Sequence, residues 1–294
     1  MRRRLDLELV RRGLATSRSE AQELVASGRV TVAGAPGTKP ARLVDPAESV
    51  VVAGEGPRFV SRGGLKLEAA LEQSGLDVGG ALVLDAGAST GGFTDCLLQR
   101  GARRVVAIDV GRGQLHDRLR SDPRVDSRER TNVRHLDVAA LAAPSEDGLV
   151  DGVVADLSFI SLRTVLPALR RVLRDDGWMV LLVKPQFEAG RAIVGRGRGI
   201  VRDPAAWSAV LEQVAGSAVE AGTSIMDVVV APIRGADGNV EFLLVLRATP
   251  GPGPFGEDER LAIDRAVRDA ALREQHPVGG EDVTVDDLTG GAAS

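Results

Sequence analysis

Two lysines and two acids in this sequence stand where a purely structural charge would be costly. Lys184 ends the apolar run 179–183, Asp156 ends a second apolar run, and Glu241 stands at the head of a third. Lys66 precedes them all, on a segment with helical spacing. A charge beside a buried strand loses hydration unless it is paired or used. We therefore expect an amine that accepts a proton, a second ammonium group and two orienting carboxylates.

The proposed base must lose its own proton near neutral pH. An ordinary lysine has a pKa of about 10.4 and stays protonated there. Partial burial and a nearby cation both lower the pKa of a lysine, and tuned catalytic lysines reach roughly 7 to 8. We assign Lys184 as the base, Lys66 as its electrostatic neighbour, and Asp156 and Glu241 as orienting partners. Each charge alone also fits a surface position or a helix cap, so the hypothesis depends on their convergence.

A glycine-rich turn follows the apolar run 81–84 and leads directly into a helix. Such turns let the backbone approach a ligand at the carboxyl end of the first strand, where open α/β sheets bind cofactors. Ser89 replaces the second glycine of the dinucleotide fingerprint, which disfavours a nicotinamide oxidoreductase. Asp85 would repel phosphates but could pair with the amino group of a cationic ligand such as S-adenosylmethionine.

A second acid, Asp109, ends the next apolar run, 24 residues after Asp85. An acid at that strand tip can accept both hydroxyls of an adenosine ribose, although alone it is also typical of a helix N-cap. No metal is expected. The residues predicted to bind the cofactor are Asp85, Gly87, Ala88, Ser89, Gly91, Gly92, Phe93, Asp109 and Asp156.

Regular alternation of strands and helices must position these groups. We predict strands at 81–85, 105–109, 150–156, 179–184, 225–230 and 240–246, and helices at 92–99, 162–173, 204–221 and 257–275. Such alternation indicates βαβ units, and hence an α/β fold with a doubly wound, mostly parallel, Rossmann-like sheet. The predicted domains are 1–55, a linker at 56–60, 61–248, and a helical and acidic C-terminal extension at 249–294, disordered after about residue 277.

The first 55 residues predict a small α+β domain. Two short helices, the second opened by a capping box of Ser17 and Glu20, precede strands at 29–32 and 49–52. Residues 1–42 carry nine Lys and Arg against four Asp and Glu, a net charge of +5, while the whole chain carries −4. This asymmetry fits a domain that binds a polyanion, although solvated helix faces would give the same pattern.

The composition excludes several classes of protein. With one cysteine in the chain, no internal disulfide can form. No apolar run approaches the roughly 20 residues that a membrane helix needs, and the basic start is not followed by an apolar segment. We therefore expect a cytoplasmic protein that does not associate with membranes.

Four segments resemble the haemolysin-A (TlyA) family of ribosomal RNA methyltransferases, whose catalytic domain is similar to FtsJ-type 2'-O-methyltransferases. They are 85–94 (DAGASTGGFT), 155–161 (ADLSFIS), 183–188 (VKPQFE) and 238–241 (GNVE). This resemblance implies that Lys66, Asp156, Lys184 and Glu241 match a Lys-Asp-Lys-Glu tetrad. It also implies S-adenosylmethionine as cofactor and methylation of a ribose 2'-hydroxyl, of cytidine, in ribosomal RNA within a ribosomal subunit.

The front segment, 11–30, resembles an RNA-binding domain shared by a small-subunit ribosomal protein and pseudouridine synthases. A glycine- and arginine-rich segment after Lys184 could act as a cationic lid on RNA, or be a solvated loop. The arginines expected to contact RNA are Arg3, Arg4, Arg11, Arg18, Arg29, Arg62, Arg191, Arg196 and Arg198.

Two further functions stay open at this point. One is a non-catalytic RNA-binding factor in ribosome assembly, which the complete tetrad disfavours. The other is a membrane-active haemolysin, which the lack of a spanning segment disfavours. The sequence does not specify the oligomeric state.

Overall fold

A computed structural model of the chain describes residues 2–15, 18–54, 57–136, 147–189, 199–235, 237–249 and 254–275. Elements are numbered in chain order over these residues. They form a small domain with two short sheets, and a larger domain built on one seven-stranded sheet.

The small domain packs two helices against short antiparallel strands. Its elements are β1 (Arg3–Arg4), α1 (Leu5–Arg11), α2 (Arg18–Ala26), β2 (Val30–Val32), β3 (Ala35–Pro36), β4 (Leu43–Val44) and β5 (Val50–Val52). Leu5 and Leu9 of α1 lie four residues apart on one helix face and bury against Val25, Val30 and the rest of a small apolar core. Ser17, the predicted cap, lies outside the described residues.

The large sheet is mostly parallel. Its strands are β6 (Leu82–Ala86), β7 (Arg104–Ile108), β8 (Val125–Arg128), β9 (Val150–Ala155), β10 (Leu173–Val183), β11 (Thr223–Val230) and β12 (Phe242–Ala248). They lie in the order β11-β12-β10-β9-β6-β7-β8. Only β12 runs against its neighbours among these strands. The start of β12 therefore meets the carboxyl ends of the parallel strands at one edge.

Helices cover both faces of this sheet. They are α3 (Gly63–Ser74), α4 (Gly92–Gln99), α5 (Asp117–Arg120), α6 (Leu162–Arg171), α7 (Pro185–Glu188), α8 (Pro204–Glu220) and α9 (Glu257–Gln275). One apolar core includes residues of α3, α4 and α5, and the other includes residues of α6, α8 and α9. The predicted fold class, a doubly wound and mostly parallel α/β sheet with a small N-terminal α+β domain, is confirmed.

Most predicted strand limits differ from the structure by one or two residues, and two of the differences bear on the site. β10 begins at Leu173 rather than 179, because Leu173 already pairs with Val150 before a register shift that ends at Trp178. Residues 174–177 are polar or glycine, so the apolar pattern does not indicate that the strand already begins at Leu173. β12 begins at Phe242, so Glu241 lies just before the strand rather than inside it.

Candidate active site

Lys66 and Glu241 form a buried ion pair. Lys66 lies on α3 and is 8% exposed, and Glu241, just before β12, is 2% exposed. The Lys66 Nζ atom donates a hydrogen bond to Glu241 Oε2. Burying either charge alone would be costly, so each group stabilises the other.

Lys184 and Asp156 form a second pair at the same edge of the sheet. Lys184 Nζ lies 2.5 Å from Asp156 Oδ1, and it donates to Ser158 Oγ at 3.1 Å. Pro185 starts α7 immediately after Lys184, so the chain turns away from the strand and leaves the lysine at its tip. Two oxygens therefore fix the direction of this ammonium group.

Strand register brings the two pairs together. Val183 of β10 pairs with Phe242 of β12, so Lys184 and Glu241 occupy neighbouring positions at the end of that ladder. The structure thus unites all four predicted charges at one edge. Each lysine contacts a carboxylate, whereas the sequence hypothesis emphasised the effect of one lysine on the other.

The turn after β6 buries Asp85 completely. Thr94 Oγ1 donates to Asp85 Oδ2 at 2.6 Å, while the buried Asp85 Oδ1 has no hydrogen-bond donor within the part of the chain that the structure describes. Desolvation by burial raises the pKa of Asp85 to about 7, and the charge of Asp156 adds to the increase. A buried carboxylate oxygen without a donor is costly for the free protein and suits a cationic or hydrogen-bonding ligand.

Asp109 fixes the backbone beside this turn. Its Oδ2 atom accepts from the Ser89 amide at 2.9 Å, and its Oδ1 atom accepts from the Gly111 amide at 2.6 Å. Ser89 has a φ of +48°, a conformation that a non-glycine residue adopts at a cost. Each carboxylate oxygen keeps a lone pair for a further donor, so the predicted contact with ribose hydroxyls is compatible with this geometry.

A cavity of about 450 Å³ borders Asp109 and Asp156, whereas the buried Asp85 is not among the residues that line it. Four of the predicted cofactor residues line it: Gly87, Ser89, Asp109 and Asp156. Its other walls come from Ile108, Val110, Gln114, the segment 131–134 and the segment 157–160. The volume and the mixture of apolar and polar lining fit a small nucleoside-containing ligand.

The remaining predicted cofactor residues lie around this cavity rather than on its wall. Phe93 is buried in an apolar core, and Ala88 borders a smaller adjoining space. A side chain on Gly91 would collide with Leu119, and one on Gly92 would collide with Ser61. These glycines thus allow close packing of the turn, and their part in cofactor binding stays a prediction.

Sequence reasoning missed an exposed aromatic residue at the site. Phe159 is 90% exposed and has a φ of +64°. Its ring centre lies 5.1 Å from that of Phe187, and Lys184 Nζ lies 5.9 Å from the Phe187 ring centre. Exposure of a large aromatic side chain is the signal here, and exposure is not readable from sequence.

Carboxylates hold several of the arginines predicted to contact RNA. Arg4 and Arg18 both donate to buried Asp6, and Arg11 donates to buried Glu8. Hydrogen bonds from Arg11 and from the neighbouring Arg12 lower the pKa of Glu8 to about 2. The side chains of Arg4, Arg11 and Arg18 nevertheless remain 39%, 46% and 55% exposed, so their part in RNA binding stays a prediction.

The other predicted RNA contacts are more dispersed. Arg3 is exposed, Arg29 donates to the Ala53 carbonyl, and Arg62 donates to the Arg234 carbonyl. Arg191, Arg196 and Arg198 lie outside the described residues.

The fold and this site define a class. An open α/β sheet with an acid and a glycine-rich turn after its first large strand, and a cluster of charged side chains at the same edge, is typical of enzymes that bind a nucleotide-like cofactor. Residues 59–248 match the FtsJ-like methyltransferase family, and residues 3–50 match the S4 domain. The chain belongs to the FtsJ-like methyltransferase family.

Similar proteins cover nearly the whole chain. A relative from Mycobacterium tuberculosis, the 16S/23S rRNA (cytidine-2'-O)-methyltransferase TlyA, is 48% identical over 90% of this chain and 97% of its own length. Hemolysin A of Brachyspira hyodysenteriae is 38% identical over 82% of this chain and 98% of its own. A solved hemolysin candidate from Streptococcus thermophilus is 40% identical, covers 93% of this chain and 98% of its own, and superposes with a TM-score of 0.73.

The haemolysin names raise the question of membrane insertion. Within the described ranges, no helix combines the length and apolar character needed to cross a bilayer.

Proposed function

We propose that this protein transfers a methyl group from S-adenosylmethionine to the ribose 2'-hydroxyl of a cytidine in ribosomal RNA. The observation that carries the proposal is the pair of lysine–carboxylate contacts, Lys66 with Glu241 and Lys184 with Asp156, at the sheet edge where Asp156 also lines the cavity. The name of the 48% identical relative, which specifies a cytidine 2'-O-methyltransferase of rRNA, supports the choice of acceptor.

The residues around the cavity fit S-adenosylmethionine. Asp85 Oδ1 offers a buried acceptor without a donor, which suits the ammonium group of the methionine moiety. Asp109 would accept from the ribose, and the apolar walls near Val110 and Val133 would hold the adenine. When bound, the cofactor supplies a methyl group activated by a sulfonium.

Lys184 would remove the proton of the attacking hydroxyl. Its Nζ atom lies at the tip of β10, and Asp156 and Ser158 hold it in one direction. Once deprotonated, the amine has a lone pair that can accept the hydroxyl proton as the oxygen becomes nucleophilic. Glu241 holds Lys66 beside the same position, where its positive charge stabilises a developing alkoxide. Correct positioning of the hydroxyl contributes most of the rate.

Phe159 would stack against the base of the target nucleotide. Its ring is almost fully exposed and lies on the segment that starts at Asp156. A side chain held outward at a φ of +64° contributes little to the core, and base–aromatic stacking contributes about 1–3 kcal/mol per base. Recognition of single-stranded or flipped-out bases by aromatic stacking is common in RNA-binding proteins.

The small domain would bind the RNA backbone outside the catalytic centre. Its arginines are oriented by Asp6 and Glu8 rather than by apolar packing alone. Contacts of this kind fix register on RNA without reading sequence. A folded ribosomal subunit would then be the substrate, because it presents both the backbone and the target nucleotide in fixed positions.

The product of the reaction tests the proposal directly. Ribosomal subunits lacking this modification are incubated with the protein and S-adenosyl-[methyl-³H]methionine, and the RNA is digested to nucleosides. We expect the label in 2'-O-methylcytidine. Label in a base-methylated nucleoside, or no label with active cofactor binding, would contradict the proposal.

A further inference from the structure

Glu274 of α9 contacts the turn between β11 and β12 that leads to Glu241. The Arg234 guanidinium, between β11 and β12, forms an ion pair with Glu274 in the last turn of α9. It also donates to the Gly238 carbonyl at 3.1 Å, within the same turn. α9 lies beyond residues 59–248, the part that matches the family, and the chemistry proposed above does not use it.

The backbone next to Arg234 touches the Glu241 carboxylate. A Cβ atom built on Gly235 would lie 2.4 Å from Glu241 Oε1, so any larger residue there would displace that carboxylate. The Gly235 amide donates to the Asn239 carbonyl at 2.9 Å, and the Ala231 amide donates to the Glu241 carbonyl at 2.9 Å. A displacement of this turn would therefore move the carboxylate that pairs with Lys66.

Lys66, the other member of the buried pair, is also linked to Arg234. Arg62 Nη2 donates to the Arg234 carbonyl at 3.2 Å. Arg62 is the N-cap of α3, the helix that carries Lys66. Arg234 thus contacts the supports of both Lys66 and Glu241.

α9 itself is firmly attached to the large domain. Ile263, Ala266, Val267 and Ala270 are buried in the apolar core on one face of the sheet. Glu274 therefore presents its carboxylate to Arg234 from a fixed support.

We propose that α9 is a positioning element for the Lys66–Glu241 pair, with the Glu274–Arg234 ion pair as the link. The inference rests on the proposed function, because it assigns Glu241 a part in methyl transfer. It adds a role for a helix outside the part of the chain that matches the family. Glu274 and Arg234 act through Glu241 and do not touch the substrate.

The test compares Glu274→Gln with Asp269→Asn, a matched loss of an exposed acid on the same helix. We expect kcat for methyl transfer to fall about tenfold or more in Glu274→Gln, because small misplacements of catalytic groups are costly. The Kd for S-adenosylmethionine and the kcat of Asp269→Asn should stay at wild-type values. A wild-type kcat in Glu274→Gln would overturn the proposal.

A double-mutant cycle tests whether Arg234 and Glu274 affect activity through their shared contact. Because Arg234 and Glu274 form one link, Arg234→Gln combined with Glu274→Gln should lose no more activity than Arg234→Gln alone. Independent, multiplying losses would overturn the proposal. Glu241→Gln shows which idea has failed: if it keeps full activity, Glu241 has no part in the proposed function. If it is inactive while Glu274→Gln is fully active, only the role of α9 is wrong.

Discussion

At the scale of single residues, the site depends on charges that are buried in pairs. The sequence predicted the four charges, because three stand next to apolar runs that must be buried and the fourth, Lys66, lies on a segment with helical spacing. It did not predict which lysine pairs with which acid, since that depends on the register between β10 and β12 and on the placement of α3. The sequence did not predict the exposure of the Phe159 ring either.

Asp85 gives a prediction on pH. Burial raises its pKa to about 7, so the group is neutral below that value and ionised above it. A cationic ligand binds the ionised form, so the affinity for S-adenosylmethionine should weaken as pH falls from 8 to 6. The limit is about tenfold per pH unit. Isothermal titration calorimetry measures this dependence. The Asp85→Asn variant should bind S-adenosylmethionine weakly, with an affinity that does not change over this pH range. A flat profile in the wild-type protein would remove Asp85 from contact with the ligand's positive charge.

Phe159 gives a prediction that separates substrate binding from stability. Phe159→Ala should leave the free energy of unfolding almost unchanged, because the ring is 90% exposed. Loss of stacking should reduce kcat/KM for the RNA by roughly 5- to 150-fold, which corresponds to about 1–3 kcal/mol. Steady-state methyl transfer with varied RNA and saturating S-adenosylmethionine provides the value. An unchanged kcat/KM would show that the base does not stack on this ring.

At the scale of secondary-structure elements, the sequence predicted what has a strong local signal. The helix at 92–99 and the strand at 225–230 lie close to their observed limits, because apolar periodicity and glycine boundaries indicate them. The short strands β1 and β4 were not predicted, since two residues carry no period and pair only through the tertiary fold. The contacts between the segments 156–161 and 184–188 were not predicted either, because a pattern within one segment does not indicate which other segment it contacts.

Glu188 joins those two segments and gives a prediction on stability. It is buried, accepts from the Leu162 amide at 2.7 Å and from Ser161 Oγ at 2.6 Å, and so caps α6 from another element. Glu188→Gln leaves one of these donors without a good acceptor and should cost about 1–3 kcal/mol. Urea unfolding followed by fluorescence reports the larger domain, because the chain's two tryptophans, Trp178 and Trp207, are buried there. Glu220→Gln, an exposed acid at the end of α8, is the control.

At the scale of the whole molecule, charge is divided between an RNA-binding end and a catalytic body. Residues 1–42 carry a net charge of +5 in a chain of net charge −4. In the proposed function, the acidic remainder would limit nonspecific binding to RNA, while the basic end would attract the RNA backbone. The order of the strands places the edge with Asp156, Lys184 and Glu241 on the large domain, so the small domain would add backbone contacts to the base contact proposed for Phe159.

This division predicts how salt affects RNA binding. Arg3→Gln should weaken binding to rRNA and reduce the slope of log K against log salt concentration by about one, the amount expected for one lost phosphate contact. Arg268→Gln removes an exposed arginine of α9 and should leave the slope unchanged. Binding isotherms at several salt concentrations give both values. Equal slopes for Arg3→Gln and the wild-type protein would show that Arg3 does not contact the RNA backbone.

Removal of the Lys184 amine tests the central claim most directly. The measurement is the single-turnover rate of methyl transfer to rRNA, with the Kd for S-adenosylmethionine measured on the same samples. Lys184→Ala should lose at least about 10²-fold in rate, the contribution of a general base, and keep its cofactor affinity. Lys39→Ala, a lysine of the small domain, should react at nearly the wild-type rate. A Lys184→Ala protein that methylates the 2'-hydroxyl at a rate close to wild type would contradict the account.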